Sequence, residues 1–496
     1  MRHKRDLYID YSNSLYGNRS RRAINRNKTS KVMLSILILF VIGMASYGTL
    51  YYKHNVIDND RPYRVDILKN TGSTNKIDNT KKVGNDTNNY FAFKAIIPFP
   101  NITTIRNNES LEQEKINVTE NNEPEAIEAN GNNKVENRKR VKVRGIYVSG
   151  PRAGSESYMA DLIDLVDTTE LNAMVIDVKN DEGEITYNME LEAAKQIGAT
   201  VNYISNIKQL VYDLKKKDIY LIARIVAFKD PKLALGREEL SLRKMDGTIF
   251  HDKAGNSWVN PYKREVWDYL ISVAKEAVKL GFDEIQFDYI RFSTDSEMKN
   301  VNFGEEAKAK TKKDIITEFT KYACDELQPL GVFVSADVYG AIIDSKVDAE
   351  IVGQDYAMMA NYLDYICPMI YPSHYADGSY GIEHPDLEPY NLIRKALEKS
   401  REVLSTTDTN SIEVINSEIN NNSTSNSENE INSNTNKAIV RSWLQDFTAT
   451  WLTNHKVYGP DEIRDQIRAV YDSGYEEWIL WNGNNTYTQA GLIQSD

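Results

Sequence analysis

The sequence has few of the residues that cross-link small proteins or bind metal ions. Its 496 residues include two cysteines and six histidines. Cys324 lies in a helical pattern and Cys367 within a predicted strand, so the pair predicts no disulfide framework. Metal-dependent deacetylation needs a cluster of His and Asp ligands, and the histidines between residues 251 and 455 have no close ligand spacing. The sequence therefore predicts no metal ion and no cofactor.

Positive charge is scarce over most of the chain. The net charge is −12, although the first 31 residues carry nine Lys or Arg against two Asp. Proteins that bind nucleic acid concentrate Lys and Arg at the interface, so an acidic exterior argues against a nucleic-acid partner. The basic segment 1–31 is instead typical of a cytoplasmic flank that sets membrane topology.

Long apolar runs are also rare, and the run at residues 32–52 has the length of a membrane span. Its 21 residues contain no charge, which is enough for a helix across the ~30 Å hydrocarbon core. The basic residues before this run keep the N-terminal segment in the cytoplasm, so the residues after the run are exported. A cleaved secretory signal is the alternative, but its apolar region usually spans about 7–15 residues and Ala45-Ser46-Tyr47 is a poor cleavage site. We predict a single-pass transmembrane helix in the lipid bilayer of the cell membrane.

Residues 53–140 lack sustained apolar periodicity. Their abundance of Asn, Lys, Glu and Thr is typical of a disordered, low-complexity linker. The apolar patch at residues 91–100 interrupts this composition and has no assigned role. We predict a tether between the membrane helix and a folded domain.

From residue 141 to 496, strand-like runs alternate with amphipathic helical runs, which indicates βα units and a parallel sheet. The predicted strands are residues 143–149, 173–179, 220–228, 284–289, 332–339, 365–371, 440–446 and 478–482. The predicted helices include residues 158–166, 207–217, 264–280, 307–327, 354–363, 389–403 and 461–473. Eight such pairs favour an α/β fold of the (β/α)8 TIM barrel type. A doubly wound sheet would normally carry a G-x-G-x-x-G turn after its first strand, and residues 149–154 lack that spacing.

Two irregular insertions interrupt the predicted barrel. Residues 229–260 follow the third strand, so they lie at the rim where active sites of such barrels form. Residues 405–437 are rich in Asn and precede the seventh strand, so they lie at the opposite end. We predict that the second insertion is disordered and takes no part in catalysis.

Polar residues recur at the carboxyl ends of the predicted strands. They are Asp177 with Lys179 in the second strand, Arg224 in the third, Asp288 in the fourth, Asp337 in the fifth, and Tyr371 followed by His374 after the sixth. One buried polar residue in a strand is commonly a satisfied structural group. A set of such residues that converges on one rim is hard to explain by packing, so we predict an active site there.

Asp288 and Asp337 end consecutive parallel strands and predict a carboxylate pair. Glycosidic cleavage needs one carboxyl group to protonate the leaving oxygen and a second to attack the sugar or activate water. Neighbouring strands lie ~4.8 Å apart, which favours the ~5–5.5 Å separation typical of retaining enzymes. Two like charges this close also raise one of the two pKa values.

Four segments carry a family resemblance: Val143-Arg-Gly-Ile-Tyr-Val, Gly281-Phe-Asp-Glu-Ile-Gln-Phe-Asp-Tyr-Ile-Arg-Phe, Cys367-Pro-Met-Ile-Tyr-Pro-Ser-His-Tyr and Arg441-Ser-Trp-Leu-Gln-Asp-Phe. From residue 141 onward the chain resembles a largely uncharacterised bacterial family of glycoside-hydrolase domains related to alpha-amylase-type barrels. The resemblance implies an Asp288 nucleophile, an Asp337 acid/base in place of the usual Glu, and an Asp446 stabiliser.

The sequence departs from the pattern of the amylase-type barrels in two further places. Gln286 stands where an Arg usually precedes the nucleophile by two residues, and strand parity turns Gln445 inward more convincingly than Asp446. Similarity to chitinase-like barrels is weaker, because Ile290 occupies the position of their acid Glu.

Aromatic and basic residues supply a predicted sugar-binding surface. Candidate stacking rings are Trp258, Tyr339, Tyr371, Trp443 and Trp481, and Trp258 is preferred because it lies in a loop. Arg224 and Arg291 orient the carboxylates or bind an anionic substituent.

The sequence therefore predicts a membrane-anchored, extracytoplasmic glycoside hydrolase that acts on an envelope or environmental polysaccharide. The alternative is a non-catalytic carbohydrate-binding or cell-envelope scaffold protein on the same barrel, which the departures at Gln286 and Asp337 favour.

Overall fold

The computed structural model describes residues 138–419 and 437–494, with the side chains of residues 406–419 excepted. The predicted cytoplasmic segment 1–31, the predicted membrane helix 32–52 and nearly all of the predicted linker 53–140 lie outside the described residues. Within the described ranges, no helix combines the length and the apolar character needed to cross a bilayer.

Eight strand positions form a closed parallel barrel. The strands in chain order are β1 (Arg144–Val148), β2 (Ala173–Lys179), β3 (Tyr220–Val226), β4 (Arg243–Lys244), β5 (Glu284–Asp288), β6 (Val301–Asn302), β7 (Phe333–Tyr339), β8 (Tyr365–Met369), β9 (Ile439–Val440), β10 (Ser442–Gln445) and β11 (Trp478–Trp481). Around the barrel, β1, β2, β3, β5, β7 and β8 are neighbours in that order. β9 and β10 share the seventh position on either side of Arg441. Pairing of Met369 with Trp443, and of β10 with β11 and β11 with β1, closes the ring.

The helices lie between the strands as the sequence periodicity predicts. In chain order they are α1 (Gly150–Ala153), α2 (Glu156–Asp167), α3 (Glu192–Gln196), α4 (Ile207–Lys216), α5 (Pro231–Gly236), α6 (Arg264–Leu280), α7 (Lys312–Leu327), α8 (Lys346–Val352), α9 (Tyr356–Met359), α10 (Pro389–Ile419) and α11 (Pro460–Asp472). The predicted helix 264–280 is confirmed at both ends, whereas the predicted helix 354–363 is a single turn. α10 is longer than predicted and continues to Ile419, so the insertion predicted as disordered at 405–437 begins inside a helix. Its remainder, 420–436, lies beyond what the structure describes.

The turn between α6 and β5 shows how local sequence positions the rim. α6 ends at Gly281, whose φ of 98° is a left-handed conformation that glycine adopts without the steric cost of a Cβ. The chain then reverses into β5, where Ile285 and Phe287 pack outward and Phe287 meets the ring of Phe319 on α7 at 5.4 Å. Period-two alternation therefore turns the intervening residues of β5 into the barrel.

The barrel interior holds polar residues at several levels along β5. Glu284 lies at the amino-terminal level, where it accepts hydrogen bonds from Arg441, Ser335 and Tyr220, and it is fully buried. Gln286 occupies the middle level, where its Nε2 lies 3.3 Å from Cys367 Sγ. The buried ion pair of Glu284 with Arg441 is stabilised by the further hydrogen bonds that Glu284 accepts from Ser335 and Tyr220.

The described chain begins at the amino-terminal end of the barrel. Arg138 donates to both carboxylate oxygens of Asp364, at 2.9 and 2.8 Å, and to the carbonyl of Val332 at 2.8 Å. Its guanidinium also lies 4.4 Å from the centre of the Phe333 ring. Val332 and Asp364 directly precede β7 and β8. Arg138 is therefore fixed at the end of the barrel opposite the rim.

The rim insertion 229–260 adds a small second sheet. β4, which lies inside this insertion, pairs antiparallel with β6, which follows β5. Two loops on the carboxyl-terminal side of the strands are thus joined, as expected for a wall beside the rim.

Candidate active site

Asp288 is the last residue of β5 and faces the barrel interior. Directly after it, Tyr289 adopts a φ of 47°, an uncommon conformation for a residue with a bulky side chain. The turned backbone directs the Tyr289 N–H at Asp288 Oδ1, 2.6 Å away. Strained backbone of this kind clusters at functional sites, where the surrounding structure holds it in place.

Arg224 on β3 lies between two carboxylates. Its Nε and Nη2 donate to Asp288 Oδ2 at 3.0 and 2.6 Å, and its Nη1 donates to Asp177 Oδ1 at 2.6 Å. Tyr147 on β1 donates its hydroxyl to the other oxygen of Asp177 at 2.6 Å. Burial raises the pKa of Asp177, and the charge of Arg224 and the hydrogen bond from Tyr147 oppose that rise. Tyr147 was missed from the sequence, although the alternation of side chains along β1 directs it inward, as the alternation along β2 directs Asp177.

Asp337 on β7 stands beside Asp288. Phe287 pairs with Ala336, so the next residues of the two strands, Asp288 and Asp337, are neighbours across the sheet. Trp443 Nε1 donates to Asp337 Oδ1 at 2.6 Å. Burial, and then the negative charge of Asp288, raise the pKa of the Asp337 carboxyl well above its ordinary value.

The two carboxyl groups therefore lie in different electrostatic environments. Asp288 receives three N–H donors, two of them from a guanidinium, and such donors stabilise a carboxylate charge. Asp337 receives one indole donor and is 2% exposed, so its protonated form is favoured. A carboxylate held by charged and N–H donors next to a carboxyl group of raised pKa is the arrangement that nucleophilic attack with acid assistance requires.

Aromatic rings line the site on the side away from Asp288. The rings of Tyr147 and Trp481 stack at 4.2 Å with 22° between their planes, and Trp443 meets Trp481 edge-on at 5.6 Å. The guanidinium of Arg224 lies 5.5 Å from Tyr147 and 5.6 Å from Trp481. Trp481 retains partial solvent exposure, as a ring that stacks on a sugar must.

Gln445 is the last residue of β10, and Asp446 follows it directly. The Asp446 carboxylate accepts from the N–H of Thr488 at 2.9 Å and from its hydroxyl at 2.7 Å, in the segment that follows β11. Gln445 is fully buried, and its amide joins Ser373 to Asp386. Among the described residues, the hydrogen bonds of the Asp446 and Gln445 side chains go to partners other than Asp288 and Asp337.

Lys179 was predicted to share a face with Asp177, and the structure differs. The register of β2 against β3 shifts between these two residues, which reverses the alternation. Lys179 Nζ instead lies 2.9 Å from Asp230 Oδ2 and donates to the Val226 carbonyl at 2.6 Å. The pair is fully buried, which describes a structural ion pair better than a substrate contact.

Trp258, the preferred stacking candidate from the sequence, is 2% exposed. Its indole N–H donates to Asp252 at 3.0 Å, and its ring meets that of Tyr289 edge-on at 5.9 Å. The guanidinium of Arg291 lies 5.3 Å from Trp258, 4.7 Å from Tyr289 and 4.5 Å from Tyr339. These rings surround a cation that supports the backbone turn after Asp288.

Tyr371 and His374, both predicted from the sequence, belong to a larger aromatic group at the rim. Their rings lie 5.2 Å apart, and Phe447 and Trp451 from the loop after β10 complete the group. Sequence reasoning missed Phe447 and Trp451 because no strand periodicity extends into that loop. A signal was nevertheless present: two aromatics follow an inward strand at its carboxyl end.

His, Cys, Asp and Glu side chains are spread over the described residues 138–419 and 437–494. In this part of the chain, no group of three or more His, Cys, Asp or Glu side chains is arranged to hold a metal ion.

Comparisons with known proteins assign the barrel to a family of glycosyl hydrolase domains. The family model described as "Putative glycosyl hydrolase domain" matches residues 145–416 and 406–487. No curated protein matches the chain.

Among solved structures, a hypothetical protein from Ruminiclostridium thermocellum is 38% identical, with a TM-score of 0.36, over 39% of this chain and 97% of that one. The PgaB (BpsB) glycoside hydrolase domain from Bordetella bronchiseptica is 12% identical, with a TM-score of 0.47, over 71% of this chain and 99% of that one. The spore cortex-lytic enzyme SleL of Bacillus megaterium is 11% identical, with a TM-score of 0.38, over 70% of this chain and 72% of that one.

The family match spans more than half of the chain. The protein therefore belongs to this family of glycosyl hydrolase domains, and by that membership it is a glycosidase whose substrate is not yet assigned.

Proposed function

We propose that the protein is a membrane-anchored, extracytoplasmic glycoside hydrolase that cleaves a polysaccharide with retention of configuration. Asp288 is the nucleophile and Asp337 is the acid/base. The observation that carries this proposal is the contrast within the pair: Arg224 and the Tyr289 N–H stabilise the charge on Asp288, whereas burial and Asp288 raise the pKa of Asp337.

In the first step, the protonated Asp337 carboxyl donates its proton to the glycosidic oxygen while a carboxylate oxygen of Asp288 attacks the anomeric carbon. The bond between the anomeric carbon and the leaving oxygen breaks, the alcohol departs, and the sugar is held on Asp288 as an ester. Arg224 positions Asp288, because its two N–H groups fix one oxygen of the carboxylate.

In the second step, water attacks the same anomeric carbon and gives its proton to the Asp337 carboxylate, and Asp288 leaves as an anion. Esterification removes the charge of Asp288, which lowers the pKa of Asp337 because that charge had raised it. Asp337 is thereby suited to act first as an acid and then as a base.

The membrane anchor and the extracytoplasmic location rest on the sequence. Residues 32–52 form an uncharged run after a basic segment, and residues 53–140 have the composition of a tether. A barrel exported on such a tether meets polysaccharides of the envelope or its surroundings, so we propose these as the substrate class.

Substitution of each carboxylate tests the assigned roles. We expect Asp288→Ala to lower hydrolysis by several orders of magnitude with the fold and sugar binding kept. Asp337→Ala should spare substrates whose leaving groups depart without protonation, and azide should restore turnover by capturing the sugar on Asp288. Asp213→Asn is the control, because Asp213 is exposed on α4, outside the barrel interior. A folded Asp288→Ala variant with wild-type turnover would falsify the assignment.

A non-catalytic carbohydrate-binding or envelope scaffold protein is the second candidate. The observation in its favour is that Asp446, the third acid implied by the amylase resemblance, is held by Thr488 instead of facing the pair. A glycan-array screen combined with detection of newly released reducing ends separates the two. Binding without release on every bound glycan would identify the scaffold.

A further inference from the structure

Four aromatic residues form a half-exposed surface on one side of the carboxylate pair. We name Tyr371, His374, Phe447 and Trp451 the rim aromatic cluster. The rings of Phe447 and Trp451 are 6.0 Å apart and nearly parallel at 25°, and His374 meets both edge-on at 6.2 and 6.4 Å. His374, Phe447 and Trp451 each retain partial solvent exposure. A wholly structural cluster would bury these rings, whereas sugar rings bind to aromatic faces that reach solvent.

Tyr371 connects the rim aromatic cluster to the carboxylate pair. Its ring lies 5.2 Å from His374 and 6.0 Å from Phe447. Tyr371 follows β8, and β8 pairs in parallel with β7, the strand that carries Asp337. The surface is therefore continuous with the site where the glycosidic bond would break.

The order of the strands shows on which side of the carboxylate pair the rim aromatic cluster lies. Asp177, Arg224, Asp288 and Asp337 follow one another on β2, β3, β5 and β7, and Tyr371 follows β8. Arg224 thus lies on the far side of Asp288, and the rim aromatic cluster lies on the side of Asp337. Because the acid protonates the oxygen that joins the leaving sugar, the leaving sugar extends on the side of the acid.

Hydrogen bonds fix the loop that carries Phe447 and Trp451. Gln445 Nε2 donates to the Phe447 carbonyl at 3.0 Å and to Asp386 at 3.2 Å. Asp386 also accepts from the Lys456 N–H at 3.0 Å, farther along the same loop. One end of the aromatic segment therefore bonds the buried Asp386 carboxylate directly through the Lys456 N–H, and the other end is linked to it through the Gln445 amide. Such attachment is the preorganisation that a binding site needs.

We infer that the rim aromatic cluster is a binding subsite for the leaving-group sugar of an oligosaccharide or polysaccharide, with Phe447 and Trp451 as its stacking rings. Gln445 is a positioning residue that holds this subsite through Asp386 and the Phe447 carbonyl. The inference rests on the proposed function, because it takes Asp337 as the acid.

The test begins with a glycan array of neutral, amino and acidic sugars, probed with the whole protein. The oligosaccharide that binds best is then used in affinity measurements with wild type, Asp288→Ala, Trp451→Ala and Phe447→Ala. We expect Trp451→Ala and Phe447→Ala each to weaken binding at least tenfold. Trp451→Phe keeps a ring at the position and should retain most of the affinity. Tyr212→Ala is the matched control, because Tyr212 is 54% exposed on α4, outside the barrel.

Kinetics supply a second readout on any glycan that is hydrolysed. A glycosyl fluoride of the same donor sugar has no leaving-group sugar, so it does not occupy the proposed subsite. The ratio of kcat/KM on the oligosaccharide to kcat/KM on the fluoride should therefore fall at least tenfold in Trp451→Ala. A folded Trp451→Ala and Phe447→Ala with wild-type affinity and an unchanged ratio overturns the subsite and leaves the hydrolase assignment standing.

The two proposals fail in distinguishable ways. Binding that depends on Trp451 without hydrolysis of any glycan overturns the hydrolase and the leaving-group role of the cluster, and leaves only a sugar-binding surface. A protein that binds no glycan on the array overturns the subsite. Circular dichroism of each variant checks that a lost affinity does not reflect a lost fold.

Discussion

Arg224 donates to Asp288 from a neighbouring strand and supplies the positive charge that is missing at position 286. The amylase-type pattern places an Arg two residues before the nucleophile, and Gln286 stands at that position. In the structure, Arg224 on β3 supplies two N–H donors to Asp288 and one to Asp177. The absence of the expected Arg on β5 is therefore weak evidence against catalysis, because a positive charge reaches the same carboxylate across the sheet.

Asp337 has a buried carboxyl group whose proton affinity changes on folding. In the unfolded chain its pKa is about 3.9, whereas burial and the charge of Asp288 raise the folded value. Above pH ~4, the folded protein holds more protons at this site than the unfolded chain does. Stability attributable to Asp337 therefore falls as pH rises from about 4 through the raised folded pKa.

We accordingly expect the stability of Asp337→Asn relative to wild type to increase from pH 4 to pH 7, because over this range only the wild type loses stability through ionisation of this carboxyl group in the unfolded chain. Asparagine keeps an oxygen that accepts from Trp443 Nε1, so only the charge is removed. Urea unfolding at both pH values measures the difference. Equal destabilisation at the two pH values would mean that packing, and not ionisation, dominates this position.

The strands were predictable because their alternation has a period of two. That period placed Asp177, Arg224, Asp288 and Asp337 on the interior faces of β2, β3, β5 and β7, and the structure brings them together. The same rule failed for Lys179, because a register shift between β2 and β3 interrupts the alternation. Such irregularities arise from pairing with a neighbouring strand, which one sequence segment does not encode alone.

Loop residues were harder to assign than strand residues. Trp258 was preferred as a sugar platform because it lies in a loop, yet it is buried against Tyr289 and hydrogen-bonded to Asp252. Phe447 and Trp451 were missed, although they are partly exposed beside Tyr371. The exposure of a loop aromatic depends on which other loops cover it, and loops on different strands meet only in the folded barrel.

Leu404 and Lys437, which flank the insertion, lie close together. Lys437 Nζ donates to the Leu404 carbonyl, and Ala438 N–H donates to Ala360 at 2.8 Å. The segment connects α10 to β9, so its described flanking residues Leu404 and Lys437 lie toward the amino-terminal end of the barrel.

We expect replacement of residues 406–436 by a short Gly-Ser linker to leave the enzyme nearly unchanged. Because its two ends are close together, a short loop closes the gap, and loop shortening costs little free energy. The free energy of unfolding should change by less than about 0.5 kcal/mol, and kcat/KM should equal that of wild type. Thermal unfolding and steady-state kinetics measure both. A large fall in Tm would show that the removed segment packs on the barrel.

The barrel has two functionally distinct ends. Asp288, Asp337 and the rim aromatic cluster lie at the carboxyl ends of the strands, whereas Arg138 is bound to Asp364 just before β8. The chain before Arg138 must therefore join the barrel at the end opposite the candidate site.

Proteolysis of intact cells tests this arrangement together with the proposed topology. Residues 53–137 have the composition of a solvated linker, so an added protease should cut there and release the barrel. The released fragment should begin before Arg138, whose hydrogen bonds to Asp364 and Val332 hold the entry point of the barrel. Because the cut lies at the end opposite Asp288 and Asp337, the fragment should keep the kcat/KM of the uncut protein on any hydrolysed glycan. N-terminal sequencing locates the cut, and an uncleaved cytoplasmic protein confirms that the cells stayed closed. A barrel that is protected in intact cells but cut after lysis would reverse the proposed orientation.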